Sequence, residues 1–348
     1  MKRRTFIAAI ASTFFAFLNS FEKRKAQASS FFDEIANKLF KRDKKSKSAI
    51  PKINIKRNAE VILCRASTPK KGRKKIGVSE FQNIFEKSVK TLFNVKNHSD
   101  AINALFSKDD IIGIKVNCLA GRGLSSNPLL VKAIIESLKN SGFDEEQIII
   151  WDRTDKDLIR AGYEINRGSG VRCFGTNMDY ESEISFSGSI GSCFSRILTR
   201  ECTAIINIPV LKDHDLAGVS IGMKNFYGVI HNPNKYHSDA CNPFVADLNN
   251  HSEIRNKLRL TVCDASIAQY HGGPAYNPNY SWQLNSILVA TDIVSLDSIG
   301  WKLIEEKRKE KGLKSLKEEK REPIYIQTAQ DLGIGICDRA RIKLTEIQ

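Results

Sequence analysis

No two of the eight cysteines in this 348-residue chain stand in a C-x-x-C pair. They lie at 64, 118, 173, 193, 202, 241, 263 and 337, a spacing that fits neither an iron–sulfur cluster nor a structural zinc site. G-x-x-x-x-G-K-[ST], G-x-G-x-x-G and H-E-x-x-H are absent too, so nucleotide binding and a zincin-type metal site have no motif behind them. Long apolar runs are also missing. The longest, Phe6 to Leu18, would reach only ~20 Å as a helix, against a bilayer core of ~30 Å. That excludes a polytopic membrane protein. Global disorder is excluded by 41% hydrophobic and 27% charged residues, the proportions of a globular chain. The length suffices for one large domain or two ordinary ones. Net charge is scarce beyond the first 75 residues. Residues 1–75 sum to +16 and residues 76–348 to −1, so the overall +15 does not mark the body as a nucleic-acid binder.

The N-terminus is where the charge serves a purpose. Lys2-Arg3-Arg4-Thr5-Phe6-Ile7, the apolar stretch to Leu18 and then Ala26-Gln27-Ala28 have the layout of a cleavable export signal over residues 1–28. The paired arginines followed by x-Phe-Ile resemble the signal read by the twin-arginine export machinery, which carries folded proteins. The expected location is therefore the periplasm or cell envelope. A chain folded before export needs no disulfide framework, so the cysteines read as buried thiols. Residues 29–57 follow as a basic amphipathic helix and linker. Phe31, Phe32, Ile35, Leu39 and Phe40 recur at helical spacing opposite Lys38, Lys41 and Arg42. Such a helix either packs on the domain or touches an anionic membrane surface through residues 29–56.

From residue 58 to 348, short apolar runs alternate with helical patterns. Ala59 to Cys64, Ile111 to Asn117, Gln147 to Trp151, Thr203 to Val210, Leu258 to Cys263 and Ser286 to Ala290 read as strands. Val78 to Phe93 and Leu129 to Leu138 read as helices, the second ending where Gly142 suits a left-handed cap. The order predicts an α/β domain: mainly parallel sheet flanked by helices, built from βαβ units, in one or two lobes. Near-continuous apolar strands imply a sheet covered on both faces.

In open α/β sheets ligands gather beyond the carboxyl ends of the strands, and polar residues recur there. One strand ends in Lys115 and Asn117, followed by a Gly/Ser loop containing Ser125 whose backbone N–H groups suit an anion. Asp152 and Asp264 stand at two further tips, and Asp297 lies one turn into a helix. The densest cluster is Lys212, Asp213, His214, Lys224, Asn225, His231 and His237. Lys224 interrupts an apolar, glycine-rich stretch, and a buried ammonium needs a carboxylate or a bound anion. His214, Lys224 and Lys212 are the candidate catalytic groups, the lysines holding the anion and His214 serving as general acid or base. Lys115, Asn117, Asn225 and Ser125, with the Gly272-Gly273 turn, are candidate substrate-binding residues. Asp152, Asp264, Asp297, His231 and His237 are candidate ligands for a divalent metal ion.

These residues also carry a likeness. D-I-I-G-I-K-V-N, the helix after Asn127-Pro128, I-N-I-P-V-L-K-D-H, S-I-G-M-K-N-F-Y-G, the G-G-P turn and A-T-D-I-V-S-L-D together resemble the domain of unknown function 362 family, over about residues 58–340. The resemblance implies an α/β fold and agrees with a twin-arginine signal. Some members carry a ferredoxin-like cysteine cluster, which this chain lacks. Two functions are compatible with the residues: an exported enzyme acting on a small anionic substrate, metal-assisted or not, or a non-catalytic anion- or metal-binding protein of the envelope.

Overall fold

Strands here are apolar runs buried on both sides, and their alternation assigns each side chain to a face. The computed structural model describes residues 58–67 and 76–348. The expected signal (1–28), basic helix and linker (29–57) and lysine-rich loop (69–75) lie outside the described residues. In chain order the strands are Ala59–Arg65 (β1), Ile112–Val116 (β2), Ile148–Asp152 (β3), Arg172–Gly175 (β4), Ser185–Ser187 (β5), Ile190–Ser192 (β6), Ala204–Ile208 (β7), Val210–His214 (β8), Gly218–Ser220 (β9), Leu258–Gln269 (β10), Ser281–Trp282 (β11), Ser286–Ala290 (β12) and Ile342–Ile347 (β13). The α-helices are Val78–Phe93 (α1), His98–Leu105 (α2), Pro128–Asn140 (α3), Asp155–Ala161 (α4), Gly222–Asn225 (α5), Phe244–Asn249 (α6), Ser252–Arg255 (α7), Ile293–Glu310 (α8) and Tyr325–Asp331 (α9).

The main sheet runs β13-β1-β12-β10-β7-β2-β3-β4, with β8, β9 and β11 attached beside β10. Five of the main pairings are parallel, so the chain has the mainly parallel α/β architecture, on one continuous sheet. β5 and β6 form a separate hairpin. Val61, Leu63, Ile149 and Trp151 join a core with residues of α5, α6, α8 and α9. Ile62, Cys64, Ile148 and Ile150 join a second core with residues of α1, α2 and α3. Neighbouring residues of one strand thus point into different cores, as the period of two requires. Each fully buried Phe or Ile contributes about 1.5–3 kcal/mol by leaving water, and Phe81 and Phe85 of α1 are both fully buried. The unit β2-α3-β3 is a parallel βαβ crossover. After α3, Gly142 takes a φ of 87°, the left-handed conformation that glycine adopts without a Cβ penalty.

Three strand readings need correction. The run Thr203 to Val210 is broken at Pro209, which has no N–H to give a ladder; β7 stops there, and Lys212-Asp213-His214 continues as β8, a wholly buried strand paired with β10 and β9. β10 does not end at Cys263 but runs on to Gln269, so Asp264 is mid-strand rather than at a tip. β12 does not extend the parallel series. It lies antiparallel to both β1 and β10. Among the described residues no helix is long and apolar enough to cross a membrane.

Candidate functional site

β2, β3 and β7 are parallel, and Lys115, Asp152 and Asn207 stand close to their carboxyl ends. From β2 the chain moves outward to β3 and β4, then returns to place β7 and β10 on the other side of β2. The crevice between β2 and β7 is therefore where the winding reverses, the position at which open α/β sheets bind ligands. The short helix α5, carrying Lys224 and Asn225, is tied to this point: Asn207 Nδ2 donates to the Gly222 carbonyl at 3.0 Å, and Asn225 Nδ2 donates to Asn207 Oδ1 at 2.7 Å.

A polar chain links the strand ends. Lys115 is fully buried, and its Nζ donates to Asp152 Oδ1 at 2.7 Å, to the Val116 carbonyl at 2.7 Å and to Asn225 Oδ1 at 3.4 Å. Asp152 Oδ2 accepts the Cys118 N–H at 2.7 Å. Asn117 donates to Asn225 Oδ1 at 3.1 Å, and its own Oδ1 accepts from Lys212 Nζ at 2.9 Å. The amides of Asn117 and Asn225 are thus both oriented, and neither is free to flip without breaking a bond to a lysine. A Cβ on Gly228 would stand 3.0 Å from Lys115 Nζ and 3.1 Å from Asp152 Oδ1, so only glycine leaves the ion pair undisturbed.

This network floors a cleft of about 160 Å³, lined among others by Asn117, Asp152, Asn225, His214, Lys224 and His237. At about 10–15 Å³ per water-sized centre, it holds a molecule of roughly ten non-hydrogen atoms. The charge around it is unbalanced. Lys115 has Asp152 and Asp213 has Arg321 at 3.2 Å, but Lys212 and Lys224 have no carboxylate within ion-pair distance among the described residues. Lys224 Nζ is 3.0 Å from His237 Nε2 and 3.8 Å from the Tyr227 ring centroid. His237 Nδ1 meets the Pro233 carbonyl at 3.0 Å, so that nitrogen carries the proton and Nε2 is left to accept from Lys224. Burial is the main reason that both Lys212 and Lys224 are pushed down to about 8. His237 is lowered too, first by burial and then by Lys224.

His214 behaves differently from its sequence expectation. Burial, followed by Lys224, His237, Lys212 and Arg321, pushes it down to about 2. Asp215 Oδ1 stands 3.0 Å from its Nδ1 but is mostly solvated, and its pull is outweighed. His214 is a neutral imidazole whose Nδ1 accepts the Leu216 and Ala217 N–H groups at 3.2 and 3.3 Å. An imidazolium acid is therefore not available at neutral pH.

The remaining candidates divide by place. Lys115 and Lys212 do not line the cleft; they stand behind Asn117 and Asn225 and fix them. Ser125 lies in another depression, beside Arg122 and Gln283. Gly272 and Gly273 form no anion cradle: the Gly273 N–H donates to Asp213 Oδ1 at 2.8 Å, and a Cβ there would come within 2.1 Å of the Asp213 carbonyl oxygen. The proposed metal set does not converge. Asp264 accepts from the Asn127 N–H and from Ser266. Asp297 accepts the Gly222 and Met223 N–H groups at 2.7 and 3.0 Å, anchoring α5 from behind, with burial holding its carboxyl up to about 7. His231 Nδ1 bonds the Cys193 N–H and Ser192. Only Asp152 and His237 reach the cleft. Among the described residues no group of three or more His, Cys, Asp or Glu is placed to hold a metal ion. Sequence reasoning passed over Arg153, Ser220, Tyr227 and Gly228, which also line the cleft; the adjacency of Arg153 to Asp152 and of Tyr227-Gly228 to Lys224-Asn225 was the only signal.

A family model, described as a domain of unknown function (DUF362), matches residues 112–302, more than half of the chain. The chain belongs to the DUF362 family. The DUF362 match runs from β2 into α8 and takes in every cleft residue. No curated protein matches the chain. Among solved structures, a protein from Thermotoga maritima aligns with a TM-score of 0.38 and 11% identity, over 66% of this DUF362 chain and 59% of its own length.

Proposed function

We propose that this DUF362 protein is an enzyme acting on a small organic anion held in the cleft, with Lys224 rather than His214 as the group that moves a proton near neutral pH. One observation carries the reading: two buried ammonium groups, Lys224 on the cleft wall and Lys212 behind Asn117, neither with a carboxylate within ion-pair distance among the described residues. Burying an unpaired charge costs several kcal/mol, and a bound anion offsets that cost. Lys224 touches the ligand, Asn117 and Asn225 orient it, and Lys212 contributes field from behind Asn117. No metal is needed to supply positive charge. The same cleft would serve a non-catalytic receptor, and turnover of the bound anion separates the two.

The test is the melting temperature of wild type and Lys224→Met titrated with lactate, malonate and phosphate at constant ionic strength. A specific ligand raises stability by about 2.7 kcal/mol at a hundred times its dissociation constant. A saturable rise in wild type that disappears in the variant is expected. No rise, or an equal rise in both, overturns the reading. Arg3-Arg4 and Ala26-Gln27-Ala28 support export by the twin-arginine route to the periplasm or envelope, and the basic residues 29–56 support contact with an anionic membrane surface. A reporter fused to residues 1–30 should lose export when both arginines become lysine; export that persists without the twin-arginine machinery removes this part.

A further inference from the structure

Resting on that reading, we propose that Lys224 is a nucleophile that condenses with the carbonyl group of a small 2-oxo carboxylate to form a protonated Schiff base. The contrast with Lys115 is the starting point. Lys115 Nζ spends its donors on Asp152, Val116 and Asn225. Lys224 Nζ sits on the cleft wall with an imidazole nitrogen, not a carboxylate, as its hydrogen-bond partner at 3.0 Å. His237 is held in the accepting tautomer by the Pro233 carbonyl, so the ammonium proton has a place to go. Tyr227 supports the amine with its ring face, and its own hydroxyl is fixed on the Tyr236 carbonyl at 2.6 Å.

The chemistry balances with these groups. Lys224 passes a proton to His237 Nε2, the Nζ lone pair attacks the carbonyl carbon, and His237 returns that proton to the carbonyl oxygen. The carbinolamine nitrogen then gives a second proton to the freed His237 Nε2, which delivers it to the hydroxyl; the C–O bond breaks, water leaves and a C=N bond forms. The iminium carries its positive charge on the same atom as the resting ammonium, so the cleft keeps its balance toward the substrate carboxylate. Arg153 and Asn117 line the same cleft, and the substrate carboxylate is placed against them. A lysine lowered to about 8 has about one amine in ten free at pH 7, against fewer than one in a thousand for an ordinary lysine.

Purified wild type is incubated with low pyruvate and sodium cyanoborohydride, and its peptides are mapped by mass spectrometry. The expected result is saturable modification of Lys224, ahead of exposed lysines such as Lys309, by the mass of pyruvic acid less one oxygen atom. His237→Gln should slow it at least tenfold. Labelling spread over exposed lysines with Lys224 unmodified overturns the Schiff base. If lactate, malonate or phosphate still protects wild type against heat in that case, the anion site stands without it; if all three fail as well, both readings fall.

Discussion

Two buried lysines, Lys115 and Lys224, show how a partner decides what a buried charge does. Lys115→Met leaves the Asp152 carboxylate buried with one N–H donor, and stability should fall by about 3–5 kcal/mol. Lys224→Met removes an ammonium that has no carboxylate, so unfolding in urea should show unchanged or higher stability. The pH dependence separates them further. Lys224 is lowered from 10.5 to about 8 by folding, so between those values the unfolded chain binds the extra proton and wild-type stability rises with pH. The advantage of Lys224→Met should be full below pH 8 and vanish toward pH 10.5; an advantage independent of pH would contradict the burial argument. Asn117 and Asp152 stood out as polar side chains at apolar strand ends, and Lys224 and Asn225 as polar residues within an apolar, glycine-rich stretch. Ser125, Asp264, Asp297 and His231 were misplaced because Asp264, Asp297 and His231 are satisfied by backbone N–H groups, and which carboxylate meets which N–H is a property of packing.

At the scale of elements, α5 is a single turn that cannot hold itself together. It is fixed by α8 through Asp297. Asp297→Ala leaves the Gly222 and Met223 N–H groups unpaired in the core, at about 1–3 kcal/mol each. Both the melting temperature and the response to anions should drop, and a variant that loses stability but keeps full anion response would show that α5 does not depend on this anchor. The strands that were read correctly, β1, β2, β3 and β12, are near-continuous apolar runs, the signature of a sheet covered on both faces. β8 was missed because a strand reading Val-Leu-Lys-Asp-His buries charge, which periodicity reads as an end. The reversed direction of β12 had a visible cause. Between β10 and β12 the chain holds Gly272, Gly273, Pro274 and Pro278 and no helical pattern, whereas a parallel return needs a crossover, usually a helix.

At the scale of the whole molecule, one side of the sheet joins strands far apart in the sequence. β1 lies between β12 and β13, with Ala59 opposite Ile342 and Cys64 opposite Ile347. Ion pairs Arg65–Glu346 and Lys343–Glu60, both at 2.9 Å, cross this seam, and β13 presents charged residues on the outer edge, as edge strands that resist aggregation do. Deleting residues 342–348 should bare the apolar edge of β1 and produce oligomers on size-exclusion chromatography; a monomeric deletion variant would refute this role for β13. The same seam sets a timetable for biosynthesis. β1 leaves the ribosome well before β12 and β13, so this side of the sheet cannot be paired until both have been made. Until then β1, an apolar strand, waits without the two neighbours that cover its edges.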